Sequence, residues 1–88
     1  MTTSVLTATD ARTAVAQAIR KIVPDADLDA LGDDATFRAE LELDSLDFLS
    51  FVQVLSEATG IRIDEDDYPR LATMASSIDF LTSRGGDA

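Results

Sequence analysis

With 88 residues, 45% of them hydrophobic and 27% charged, the chain has the composition of one small globular domain with little margin in its core, and not that of a disordered tail. Seven Lys and Arg against seventeen Asp and Glu leave a net charge of −10, a surface that repels phosphate backbones and anionic lipid and argues against nucleic-acid binding. Cys and His are both absent, which excludes a disulfide framework, a cysteine metal site, a thiolate nucleophile and the usual general base, so any reactive group must come from outside the polypeptide.

The apolar spacing predicts a first helix over residues 10–23. Val15, Ile19 and Ile22 fall at i, i+4 and i+7, with Ala11 and Ala18 on the same side. Thr9 or Asp10 can cap its start, Arg20 and Lys21 suit the dipole of its last turn, and Pro24 ends it. Residues 25–43 form a long connection for so small a domain. Leu28, Leu31, Phe37, Leu41 and Leu43 are its expected anchors to the core, and residues 37–41 fit a short helical turn after Asp34, Ala35 and Thr36.

A second strong helix is predicted over residues 45–59, with Asp44 or Ser45 as N-cap and Gly60 as stop. At 100° per residue, Phe48, Phe51, Val52, Leu55 and Ala58 cluster on a core face, while Ser50, Gln53 and Glu57 form a wet strip. Leu46 falls in the middle of that strip, and Val54 lies on its rim beside Asp47. A leucine pointing at water one residue past the helix start is the first oddity in the chain.

Beyond Gly60, Ile61, Arg62 and Ile63 read as a short extended piece. Asp64, Glu65, Asp66 and Asp67 favour the first turn of a short helix over residues 65–70, which Pro69 keeps brief or irregular. The run lacks the central Gly and terminal Glu of an EF-hand, so it reads as a solvated helix start rather than an ion loop, and no metal ligand set is assigned. Tyr68 reads as a packing residue. A last helix over residues 73–83 has Thr73 as N-cap and Met74, Ile78 and Leu81 at i, i+4 and i+7, with Phe80 nearby. Residues 1–8 and 84–88 read as flexible tails. No segment alternates with period two. The expected fold is all-α: a single domain over residues 1–88, a small bundle of three main helices and one short helix with a long first loop.

No apolar run approaches the roughly 18 residues of a membrane span. The opening MTTSVLTATDAR lacks the basic and apolar regions of a secretory signal, so the expectation is a cytoplasmic protein.

The segment Leu41, Glu42, Leu43, Asp44, Ser45, Leu46, Asp47 resembles the phosphopantetheine attachment motif of acyl carrier proteins. The tripeptide Asp-Ser-Leu recurs by chance, but the surroundings match too. Phe37 and Leu41 stand at the apolar positions upstream, and residues 45–59 match the second helix. Residues 63–67 match the acidic start of the third helix, and Thr73, Met74, Ile78, Asp79, Phe80 and Leu81 match the fourth. The likeness runs from Asp10 to Leu81 with spacings intact. It implies a four-helix acyl-carrier bundle that is not an enzyme. In that family the serine, here Ser45, carries a 4'-phosphopantetheine arm taken from coenzyme A, and the arm's thiol holds acyl groups as thioesters for fatty-acid, polyketide or related biosynthesis.

The resemblance further implies a phosphopantetheinyl transferase, an acyl-loading enzyme and a ketosynthase or other pathway enzyme as partners of a monomeric carrier. Asp44, Leu46 and Asp47 are its expected recognition residues, with Val54 and Glu57 further along the helix. A helix N-terminus favours the phosphodiester, whereas Asp44 works against that anion and is expected to cap the helix or meet a basic residue on the transferase. Leu43 and Glu42 stand where a Gly and a small residue are common before the Asp-Ser in the family. Ser50, Gln53 and Ser56 stand at exposed positions of a helix that is usually more acidic. These departures point to a dedicated pathway with its own partners.

The same residues admit three other readings. By residue type alone, Ser45 is an N-cap in an acidic helical interaction module with no prosthetic group. Peptidyl and aminoacyl carriers share the fold and cofactor, but more often show Gly-Gly before the attachment serine and are less acidic. A hydrolase using Ser45 fails because there is no His or Cys and no obvious base to activate the hydroxyl. The charge itself has a measurable effect. Self-repulsion limits stability at low ionic strength, so added salt or millimolar magnesium is expected to raise the melting temperature, and a melting temperature that does not respond would show the acidic groups already paired or too dispersed to matter.

Overall fold

The computed structural model describes residues 7–28 and 30–85. The elements in chain order are α1 (Ala8–Ile22), α2 (Phe37–Glu40), α3 (Ser45–Thr59), a 3₁₀ segment (Glu65–Leu71) and α4 (Met74–Gly85). Among the described residues there is no strand, only an isolated antiparallel bridge between Thr36 and Thr73. The all-α expectation holds, and the short turn foreseen after Thr36 is α2.

Helix α1 starts earlier than the sequence suggested. Its cap is Thr7, not Thr9 or Asp10: the Thr7 hydroxyl accepts from the Asp10 N–H at 3.1 Å. Asp10 then stands three residues into the helix, where its charge suits the dipole. Ala11, Val15, Ala18 and Ile19 are buried, and α1 lies against both α3 and α4. Val23 caps the C-terminus through its N–H to the Ile19 carbonyl, one residue before Pro24.

The long first loop is not slack. Arg12 of α1 grips Asp33 with two hydrogen bonds, at 3.1 and 3.0 Å, which hold the Asp33 carboxyl below its usual pKa. The Asp33 carbonyl accepts from the Ala75 N–H at 3.0 Å, and the Phe37 N–H donates to the Ala72 carbonyl at 2.8 Å. Leu28, Leu31 and Leu41 are half-buried against the core, while Phe37 and Leu43 are buried in it. All five expected anchors therefore serve.

Phe37, Phe51, Leu55, Leu71, Phe80 and Leu81 are fully buried, and Phe37 meets Phe51 edge to face at 5.6 Å. Of the five residues expected on the core face of α3, Ala58 is exposed. It lies at the edge of the apolar face, beside a shallow groove shared with Gln17, Ala18, Lys21, Val54 and Glu57. Ser56, expected in water, is half-buried because its hydroxyl donates to the Ile61 carbonyl at 2.7 Å. Gly60 ends α3 at φ 72°, a left-handed conformation that side chains disfavour.

The acidic run builds structure. The Asp64 N–H donates to the Asp67 carboxylate at 3.0 Å, and Arg84 of α4 reaches the same carboxylate at 2.9 Å. Among the described residues no cluster of acidic side chains is arranged to hold a metal ion. Pro69 sits inside the segment, and tighter 3₁₀ winding accommodates it. Helix α4 has the foreseen cap, the Thr73 hydroxyl accepting from the Ser76 N–H at 3.1 Å. It continues past Ser83 to Gly85, because Arg84 is tied to Asp67 and lies 4.8 Å over the Phe80 ring. Ala8, Arg84 and Gly85, expected in the tails, are helical. The rest of those tails, 1–6 and 86–88, lies outside the described residues.

Ser77 is fully buried in α4, and its hydroxyl has no hydrogen-bond partner. Ser77→Ala is expected to raise the unfolding free energy by about 1 kcal/mol, because it removes the desolvation cost of that hydroxyl and favours the helix. Urea denaturation checks this, and a loss of stability would mean the hydroxyl is satisfied in solution.

Candidate functional site

The site is built around the start of α3. Asp44 is the N-cap: its Oδ1 accepts from the Asp47 N–H at 2.8 Å, and its carbonyl accepts from the Phe48 N–H at 3.0 Å. Of the two caps the sequence left open, Asp44 serves. That leaves Ser45, the first helical residue, with an exposed side chain that is not used in capping. Leu46 is 74% exposed and Leu49 41%. Asp47 is half-buried.

The turn before the cap is bent sharply. Glu42 has φ 54°, a left-handed conformation unusual for a residue with a side chain. The Leu43 N–H then returns to the Arg38 carbonyl at 3.1 Å, and the Leu43 side chain is buried. Together these fix the direction in which the chain enters α3.

Beside this helix start lies a groove of about 460 Å³ lined by Thr36, Arg38, Phe48, Tyr68, Pro69 and Ala72. Phe48 is one helical turn from Ser45. It meets Tyr68 edge to face at 5.7 Å, and the Arg38 guanidinium sits 5.8 Å from the centre of its ring.

The structure thus brings Asp44, Ser45, Leu46 and Asp47 together at one end of α3. It does not bring Val54 and Glu57 there: at 1.5 Å per residue they lie about 14 and 18 Å further along the helix. Val54 is half-buried and Glu57 exposed. Sequence reasoning missed Leu49, which shares the outer face with Leu46, and it missed Arg38. The signal for Leu49 was its three-residue spacing from Leu46. Arg38 carried no signal, since its place beside Phe48 depends on the loop geometry.

A phosphodiester fits this position. A primary hydroxyl stands in water on the first turn of a fifteen-residue helix, where amide N–H groups and the dipole favour an anion. Asp44 is the opposing charge.

Comparison with known proteins agrees. Residues 13–81 match the family described as "Phosphopantetheine attachment site". An acyl carrier protein of Rubrobacter xylanophilus is 30% identical over 73 residues, covering 80% of this chain and 90% of its own. An acyl carrier protein of Lactobacillus johnsonii is 32% identical over 57 residues, covering 65% and 71%. One from Nitratidesulfovibrio vulgaris is 26% identical over 73 residues, covering 80% and 96%. The chain belongs to the phosphopantetheine attachment family, as an acyl carrier protein. It is a carrier and not a catalyst, and its prosthetic group is covalently attached 4'-phosphopantetheine. When bound, that group supplies the thiol that the polypeptide lacks. No helix among the described residues is long and apolar enough to cross a membrane.

The bend at Glu42 yields a stability prediction. Glu42→Gly is expected to raise the unfolding free energy by about 0.5–1 kcal/mol, the relief of a left-handed side chain less the added freedom of the unfolded chain. Chemical denaturation reads it directly. A decrease would show that the Glu42 side chain holds the bend.

Proposed function

We propose that Ser45 is the attachment residue, and that the chain works as a single monomeric carrier domain in the cytoplasm. The observation that carries this reading is the division of labour at the start of α3: Asp44 caps the helix, so the Ser45 hydroxyl stands exposed without a structural task. A transferase needs an accessible alcohol held in a fixed direction, and a capped helix start provides one.

Docking follows from the surroundings. Asp44 and Asp47 offer charge to a basic patch on the transferase, and Leu46 offers an apolar contact beside the modified residue. Val54 and Glu57 extend the surface along α3 for larger partners: an acyl-loading enzyme and a ketosynthase or related enzyme. The net charge of −10 steers these encounters and makes them salt-sensitive. The cargo belongs to fatty-acid, polyketide or related biosynthesis. The sparse acidity of the outer face of α3, with Ser50 and Gln53 exposed, favours a dedicated pathway over a general synthase.

The test is the intact mass after incubation with a broad-specificity phosphopantetheinyl transferase, coenzyme A and magnesium. The wild-type chain is expected to gain one phosphopantetheine and Ser45→Ala none. A gain that survives in Ser45→Ala places the arm elsewhere. No gain with several transferases would favour an interaction module in which Ser45 is only part of a helix start.

A further inference from the structure

We propose that the groove beside α3 selects acyl cargo ending in a carboxylate over alkyl cargo of the same length, with Arg38 as the selecting residue. This rests on the reading of Ser45 as the tether point, and it concerns what the tether carries.

Three observations converge on it. The first is position. Phe48 forms one wall and lies one turn from Ser45, so a group tethered at the helix start has the groove within reach. Behind Phe48, the interior is filled by Phe51 and Phe37, both fully buried. The space offered to cargo here is therefore a surface groove of about 460 Å³ and not a hollow core.

The second is charge. On a chain of net charge −10, cations are scarce. Arg12, Arg62, Arg70 and Arg84 are engaged with Asp33, Asp64, Asp79 and Asp67. Arg20 and Lys21, at the end of α1, form no ion pair among the described residues and do not line this groove; nor does Arg38, which lines it, form one, although Glu40 and Glu42 lie close to it in sequence. Its guanidinium rests 5.8 Å from the Phe48 ring centre, and it lines the groove. An arginine held on an aromatic ring keeps its fork of N–H donors for a carboxylate.

The third is the lining itself. Phe48, Tyr68, Pro69 and Ala72 present apolar surface suited to a short methylene chain, while Arg38 and Thr36 supply the polar contacts. A plain alkyl chain would gain the apolar contacts only. A chain ending in a carboxylate would gain those and an ion pair.

The experiment compares two cargoes of equal carbon count. The wild-type protein is loaded from adipoyl-coenzyme A or hexanoyl-coenzyme A by a broad-specificity transferase, and loading is verified by mass. Cleavage of each thioester by hydroxylamine is then timed. The adipoyl thioester is expected to be cleaved about three- to fivefold more slowly than the hexanoyl, the scale of one exposed ion pair. High salt is expected to remove the difference. Amide shifts at Thr36, Phe48, Tyr68 and Ala72 are expected to move more for adipoyl than for hexanoyl. In Arg38→Gln the difference in rate is expected to vanish, and Arg38→Lys is expected to retain part of it. Arg38 is exposed, so both variants should fold, which circular dichroism checks. Equal rates in the wild type, or a difference that persists in Arg38→Gln, overturns the assignment while leaving the carrier reading intact. A failure to load at all overturns the carrier reading, and this inference with it.

Discussion

The 2.8 Å hydrogen bond from the Asp47 N–H to the Asp44 carboxylate sets the geometry on which the function depends. A cap of this kind is worth about 1 kcal/mol, modest beside the burial of three phenylalanines. Its importance is directional. It fixes where α3 begins, and therefore which residue stands first on the helix and points outward. Had Ser45 been the cap, its hydroxyl would be turned back onto the backbone and spent on the fold. One residue of register separates a structural serine from an available one, and the buried Leu43 with the left-handed bend at Glu42 holds that register from the other side.

Acidity and stability are reconciled by a few well-placed arginines. Arg12 fastens the first loop to α1, and Arg84 joins α4 to the 3₁₀ segment while resting on Phe80. Both pairs are long in sequence and exposed at least in part, so each adds little energy alone. Their effect is to organise the two irregular stretches that helix propensity cannot. With Asp64 and Asp79 also paired, to Arg62 and Arg70, the carboxylates outside these pairs are left to repel one another and to attract basic partners.

Much of this was legible in the sequence because helices announce themselves locally. The spacing of Val15 and Ile19, of Phe48, Phe51, Val52 and Leu55, and of Met74, Ile78 and Leu81, together with Pro24 and Gly60, marked out the three main helices and most of their inward faces. The exposure of Leu46 followed from the same geometry. What escaped was set by tertiary neighbours. Thr7 took the cap because Ala8 and Thr9 could join the helix. Ala58 stayed wet because α1 leaves a groove beside it, and Arg84 was held in α4 by a partner seventeen residues away. Arg38 and the groove it lines arise where the first loop, α3 and the 3₁₀ segment meet, and no single stretch of sequence contains that meeting.

The bridge between Thr36 and Thr73, with the Phe37 amide on the Ala72 carbonyl, joins two distant points of the chain and encloses α3 and the 3₁₀ segment between them. Closing a loop costs entropy that rises only by about 0.6 kcal/mol for each doubling of its length. Insertions or deletions of a few residues around Arg62 would therefore change that cost very little, while shifting Tyr68 and Pro69 relative to Phe48. The width of the cleft is in that sense adjustable on its own, and a lineage could retune what fits there without disturbing the helix that presents the serine.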